Sequence, residues 1–276
     1  MDGGVWKDNT GKHINAHGGS IFNYKGTYYW YGESRSDDGK PYSSLGVSCF
    51  TSKNLKDWTN HGLVLPVSNE SGSDIEGGCI IERPKVLYNA KTKKFVMWFH
   101  LELKGRGYGA ARAAVAVSDT PFGPFKFVRS GRVNAGVYPI GFAKPDTTDL
   151  RHQLLYPELK KWWTPEWRMQ IERGMFFMRD FDGGQMARDM TVFVDDDGKA
   201  YHIFSSEDNL TIQIAQLTDD YMQHNGSFVR VAAGGQNEAP TIFKKDGIYW
   251  MITSGCTGWA PNAARMFCAK NIFGPW

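Results

Sequence analysis

Residues 190–204 read Met190-Thr191-Val192-Phe193-Val194-Asp195-Asp196-Asp197-Gly198-Lys199-Ala200-Tyr201-His202-Ile203-Phe204. Two apolar runs flank a polar turn ending in Asp-Gly. Such a turn tolerates positive φ and therefore marks a β-hairpin. The same layout recurs at Gly19–Tyr31, at Pro84–Phe99 and at Pro240–Ile252, the last again through an Asp-Gly pair, Asp246-Gly247. Each hairpin leads into a third strand-like run: Gly46–Phe50, Ala113–Val117, Thr211–Ala215 and Arg265–Cys268. A short closing segment follows each: Lys56-Asp57-Trp58, Phe122-Gly123-Pro124-Phe125, Asp219-Asp220-Tyr221 and Phe273-Gly274-Pro275-Trp276. Repeated three- or four-stranded units without intervening helices predict an all-β fold, a β-propeller. A β-sandwich with similar hairpins is the alternative, but four closing segments in the same order favour the propeller.

The second and third hairpins are the furthest apart, and the gap holds an insertion at residues 133–185 with Trp162-Trp163, Trp167 and Phe176-Phe177. Its stretch from Pro157 to Met175 predicts a helical turn or two. The fourth unit closes at Trp276, so the expectation is a propeller cut before its last blade, with residues 1–276 forming one domain. In composition, 14% aromatic and 22% charged residues exclude a disordered polar chain. A net charge of +3 without a Lys/Arg block predicts neither a nucleic-acid nor a membrane partner. Cys49, Cys79, Cys256 and Cys268 show no C-x-x-C spacing, which argues against a zinc site; Cys49, Cys256 and Cys268 read as small core residues.

First strands of a propeller line its centre, so residues just ahead of them gather at one mouth. Three hairpins carry an acid there: Glu82 before Arg83-Pro84, Asp189 before Met190, and Glu238 before Ala239-Pro240. Clustered carboxylates raise at least one pKa, as a general acid requires, and paired acids in an aromatic pit suit glycoside hydrolysis.

Several further stretches carry a resemblance: Ala16-His17-Gly18-Gly19, Tyr28–Glu33, Glu82–Val86, Trp98-Phe99-His100, Arg188–Thr191, Asp195–Tyr201, Glu238-Ala239-Pro240 and Thr257–Asn262. With these the chain resembles glycoside hydrolase family 43, a family of five-bladed propellers, in the branch of the exo-β-1,3-galactanases. About four of the five blades are then present. The resemblance implies an inverting hydrolase of β-1,3-galactan or arabinogalactan, secreted or periplasmic, with a carbohydrate-binding module possible outside this chain; no cofactor or metal is expected. It makes Glu238 the general acid and Asp189 the residue that orients and tunes it. The first-blade slot that elsewhere in the family holds the base Asp reads Ala16-His17-Gly18-Gly19. In this branch a fifth-blade glutamine is thought to replace that base, in a region beyond Trp276.

Glu82 and Glu33 are candidate acceptors for sugar hydroxyls, with an ion pair to Arg83 or Lys85 as the structural alternative for Glu82. Tyr108 and Trp259 are candidates for stacking on a pyranose, and Thr257 and Asn262 for hydroxyl contacts. Glu207 reads as structural, Asp195-Asp196-Asp197-Gly198 as a turn rather than a calcium loop, and His17, His100 and His202, on different blades, as hydrogen-bonded structural residues, with ligands of a metal at the axis as the alternative. Two other functions stay open: an α-L-arabinofuranosidase or β-xylosidase of the same family, and a non-catalytic carbohydrate-binding propeller.

Overall fold

The computed structural model describes residues 4–37, 44–142, 161–258 and 260–276. The chain divides into two compact units, residues 1–131 and 132–276. Each is built from antiparallel meanders, the blades of the expected all-β propeller fold.

The first unit holds two four-stranded blades. One comprises β1 (His17–Tyr24), β2 (Thr27–Arg35), β3 (Ser44–Ser52) and β4 (Thr59–Pro66); the other β5 (Ile80–Asn89), β6 (Lys94–Glu102), β7 (Arg112–Ser118) and β8 (Lys126–Gly131). Lys25 and Gly26 both take positive φ (49° and 73°) in the two-residue turn between β1 and β2, the geometry whose twist matches the flanking strands. Tyr29, Tyr31, Val47 and Cys49 of the first blade form one apolar core with Val86, Met97 and Phe99 of the second.

The second unit holds a four-stranded blade, β9 (Met190–Val194), β10 (Ala200–Ser206), β11 (Thr211–Leu217) and β12 (His224–Val231), and a three-stranded sheet, β13 (Glu238–Lys245), β14 (Ile248–Ser254) and β15 (Arg265–Ala269). The Asp195–Lys199 turn is a hairpin turn. Asp195 accepts from Lys244 Nζ at 2.8 Å and from the Tyr249 hydroxyl, which commits that carboxylate to a neighbouring sheet. The closing segments are loops into the outermost strands: Trp58, Phe125 and Tyr221 bury their rings just before β4, β8 and β12.

Val133 and Gln185 exchange two backbone hydrogen bonds, of 3.1 and 2.7 Å, at the ends of the insertion. Inside it the helical content exceeds a turn or two. Helix α1 (Pro165–Arg173) starts at Thr164, whose hydroxyl accepts from Trp167 N, has proline in its first turn, and ends at Gly174 with φ 99°. Helix α2 (Met175–Arg179) follows at once. Trp167, Ile171, Met175 and Phe176 bury against Leu210.

One cysteine expectation is corrected. Cys49 is buried and Cys256 half-buried, but Cys268 is exposed. Strand alternation explains it, since on β15 Ala269 turns inward while Met266 and Cys268 point out.

Candidate active site

The candidate residues form two groups, one in each unit, and one backbone device recurs beneath them. In β1 the partner of His17 is Glu33 and the next paired residue, Ser20, faces Tyr31, so three steps on β1 match two on β2. The same slip follows Glu82 (Glu82 to His100, then Lys85 to Trp98) and Glu238 (Glu238 to Ser254, then Thr241 to Ile252). Each is a β-bulge whose first extra residue has positive φ: Gly18 at 53°, Arg83 at 55° and Ala239 at 47°. Bulges of this kind re-aim the side chain beside them and are common next to active sites. Pro84 and Pro240 fit the device, because a residue in the bulge has no ladder partner for an N–H. Gly19 fits it for another reason: a Cβ there would lie 2.0 Å from the Tyr31 carbonyl oxygen. Asp189 differs. Its carbonyl accepts from Ser205 N in register with Met190 opposite Phe204, with no slip.

In the first unit Glu82 is the centre of a polar network. Its Oε2 lies 3.1 Å from His100 Nδ1, and its Oε1 accepts from the Tyr108 hydroxyl at 2.8 Å. The fully buried His100 contacts Glu102 through Nε2 at 2.9 Å, and Glu102 also accepts from the Ala110 and Ala111 amides. Burial opposes a charge on His100, but the two glutamates outweigh it and raise its pKa to about 9. The converse holds for Glu82. Burial pushes its pKa up, yet hydrogen bonds to His100 and Tyr108 hold it below the ordinary glutamate value. Tyr108 is therefore held at Glu82 by its hydroxyl while its ring stays exposed. Glu33 is buried. Its Oε2 takes a bidentate Arg35 contact, with Nη2 at 2.6 Å, and its Oε1 accepts from Arg83 N at 3.3 Å. It sits under the bulges of both blades, which suits support more than direct sugar contact.

In the second unit Asp189 Oδ2 accepts from the Ala239 amide at 3.0 Å, so this carboxylate grips the bulge that presents Glu238. Glu238 Oε1 accepts from Asn209 Nδ2 at 2.9 Å. The Cys256 thiol also hydrogen-bonds Glu238; burial and then the Glu238 charge push that thiol up to about 12. Thr257 and Asn262 brace their own loop: Asn262 accepts from Gly255 N at 2.7 Å and donates to Thr257 Oγ1 at 2.7 Å, and Thr257 donates to the Ala260 carbonyl at 2.6 Å. Trp259 lies outside the described residues.

Asn209 and Cys256 were not legible as neighbours of Glu238. Asn209 closes three consecutive residues with positive φ, Glu207 (53°), Asp208 (56°) and Asn209 (65°). The polar run between two apolar strands announces a turn, not its left-handed form. Left-handed geometry costs a non-glycine residue roughly 1–2 kcal/mol, and ion pairs offset it here. Glu207, fully buried as a structural role requires, binds Arg230 through both oxygens (2.6 and 2.7 Å), and Asp208 binds Arg179 at 2.6 Å.

Among the described residues two histidines are buried, and they give stability opposite pH signs. His100 has a raised pKa, so its contribution is complete below the unfolded value near 6.5 and disappears as pH rises through about 9. His202, in contact with His224 at 3.0 Å, is held neutral well below 6.5 by burial first and by His224 second. Its contribution is complete above 6.5 and declines as pH falls below it. Both contributions are complete together only at about pH 6.5, so the melting temperature should peak near that value and fall on either side. In His100→Gln the alkaline decline should flatten, and an unchanged alkaline slope would contradict the assignment.

The family model for glycosyl hydrolases family 43 matches residues 163–276. A solved family 43 β-1,3-galactosidase, in complex with galactodeoxynojirimycin, is 59% identical, with 99% of this chain and 78% of that one covered and a TM-score of 0.92. The chain belongs to glycosyl hydrolase family 43. Family membership makes it a glycosidase acting on the O-glycosidic bonds of a glycan. An exo-β-1,3-galactanase from Clostridium thermocellum is 37% identical (100% and 50% covered, TM-score 0.78). Another from Phanerochaete chrysosporium, solved with galactose, is 30% identical (99% and 52% covered, TM-score 0.73). The chain spans about half the length of these two. No curated protein sequence matches it.

Proposed function

We propose that this family 43 chain belongs to an exo-acting galactan 1,3-β-galactosidase that cleaves with inversion and works outside the cytoplasm on plant-type galactan. The observation that carries the reading is the Asp189–Glu238 pair, in which Asp189 grips the amide next to Glu238 and so fixes the aim of that carboxyl. Similarity to enzymes named for β-1,3-galactan supports the substrate. In this reading Glu238 delivers its proton to the departing glycosidic oxygen as the C–O bond breaks. Water attacks the anomeric carbon from the opposite face and its proton passes to solvent, from which Glu238 is later reprotonated, and the free sugar leaves with inverted configuration. Asn209 Nδ2 donates to Oε1 and so helps hold the carboxyl in place. Glu82, ionised and oriented by His100 and Tyr108, accepts from sugar hydroxyls.

The test is product analysis with the full-length gene product on β-1,3-galactan, arabinan and xylan. Galactose from the first alone is expected. Arabinose or xylose as the main product would replace this reading with the arabinofuranosidase or xylosidase alternative. Sugar binding without any product would replace it with the binding module.

A further inference from the structure

The bulge shared by three blades gives His17 a role that its residue type alone does not. His17 precedes the bulge of β1 just as Glu82 precedes that of β5 and Glu238 that of β13, each opposite the same position of its partner strand. The Glu82 and Glu238 bulges each present a polar side chain to the candidate chemistry. Within the first unit the His17 and Glu82 bulges are joined directly. Lys85 Nζ donates to the Gly18 carbonyl at 3.3 Å, and Glu33 Oε1 accepts from Arg83 N. A Cβ on Gly18 would fall 2.3 Å from that same Glu33 oxygen, so a side chain there would push the Glu33 carboxylate off the joint. Arg35, paired to Glu33 at 2.6 Å, lies 3.9 Å from Glu82 Oε1 and also acts on His17.

We propose that His17 is a substrate-contacting residue, its imidazole hydrogen-bonding a hydroxyl of the terminal sugar alongside Glu82. This rests on the galactosidase reading above. His17 is exposed at the end of β1, where a ring nitrogen is available to a ligand. The groups facing it are His13, Arg35 and Glu33. Partial burial first, and Arg35 second, lower its pKa, with Glu33 opposing. The ring is thus neutral near pH 7, with one nitrogen to donate and one to accept, the pairing that a sugar hydroxyl offers in return.

The experiment compares wild type, His17→Ala and His17→Gln in the full-length gene product. It reads KM and kcat on β-1,3-galactobiose, Kd for galactose by calorimetry, and Tm. His17→Ala should raise KM and the galactose Kd about tenfold, the weight of one or two hydrogen bonds, with Tm held within about 2 °C. His17→Gln, which keeps a donor and an acceptor at similar reach, should recover to within about threefold. KM and Kd within about twofold of wild type in the alanine variant would overturn the proposal. So would a fall in Tm in both variants, which would assign His17 to folding. A wild type that binds galactose but releases none would sink the hydrolase reading and leave the Kd comparison to decide on His17. A wild type that does neither would sink both.

Discussion

Glu238→Gln should lower kcat for galactose release about 10³-fold while the galactose Kd stays within about twofold, because a general acid commonly contributes 10²–10⁴. Glutamine keeps the size of the side chain and the acceptor oxygen for Asn209 Nδ2, whose 2.9 Å contact fixes Oε1. The grip of Asp189 on the Ala239 amide is untouched, since it is made to the backbone. The main loss is the transferable proton, so binding and melting temperature should hold. A good leaving group needs no protonation, and an aryl β-galactoside with an acidic phenol should recover much of the lost rate. A variant as active as wild type on galactan would remove Glu238 from the acid role. One equally slow on both substrates would make its role orientation rather than proton transfer.

Arg230→Ala should be the most destabilising single change in the second unit, by about 3–5 kcal/mol, because it strands a buried charge. Glu207 is fully buried and its two oxygens both depend on the Arg230 guanidinium. The same guanidinium donates to the Ile171 and Glu172 carbonyls at the end of helix α1, at 2.9 and 3.2 Å, and lies over the Phe142 and Phe177 rings. One side chain therefore ties the insertion helix and the left-handed turn to β12. A drop in Tm on the order of 10 °C is expected. Activity should fall further than unfolding explains, since the released turn carries Asn209, the donor to Glu238. The double change Glu207→Leu with Arg230→Met should regain a large part of the loss, because no lone charge remains. Simple addition of the two single losses would show that the pair is not the cause.

What was legible in the sequence follows from where the information is local. The hairpins were readable because their turns put a glycine at positive φ, namely Gly26, Gly198 and Gly247. Three of the third strands were readable because they are buried on both faces, as in Val47–Phe50, whereas β15 is largely exposed. The outermost strands β4, β8 and β12 were hidden by their own composition. Thr59-Asn60-His61-Gly62 and His224-Asn225-Gly226-Ser227 are polar because an edge strand must discourage further pairing. The helices α1 and α2 were underestimated because their apolar residues serve the insertion's own small core and not a repeated blade.

Of the candidate site, the positions of Glu82, Asp189 and Glu238 relative to the hairpins were legible. The bulges that aim two of them were not, since Arg83 and Ala239 are poor advertisements for positive φ and only Gly18 hints at it. The supporting contacts were beyond reach altogether. Glu33 beneath two bulges, Asn209 and Cys256 on Glu238, and His100 between two glutamates are all tertiary contacts that no spacing encodes.

The anomeric configuration of the first galactose released from β-1,3-galactan by the full-length gene product, followed by proton NMR before mutarotation, tests the central claim most directly. Inversion of a β-linkage with Glu238 as the acid requires α-galactose to appear first, with the β-anomer growing in only as the sugar equilibrates. β-Galactose as the first product would mean retention through a covalent intermediate, and it would contradict the assignment of Glu238 and Asp189 made here.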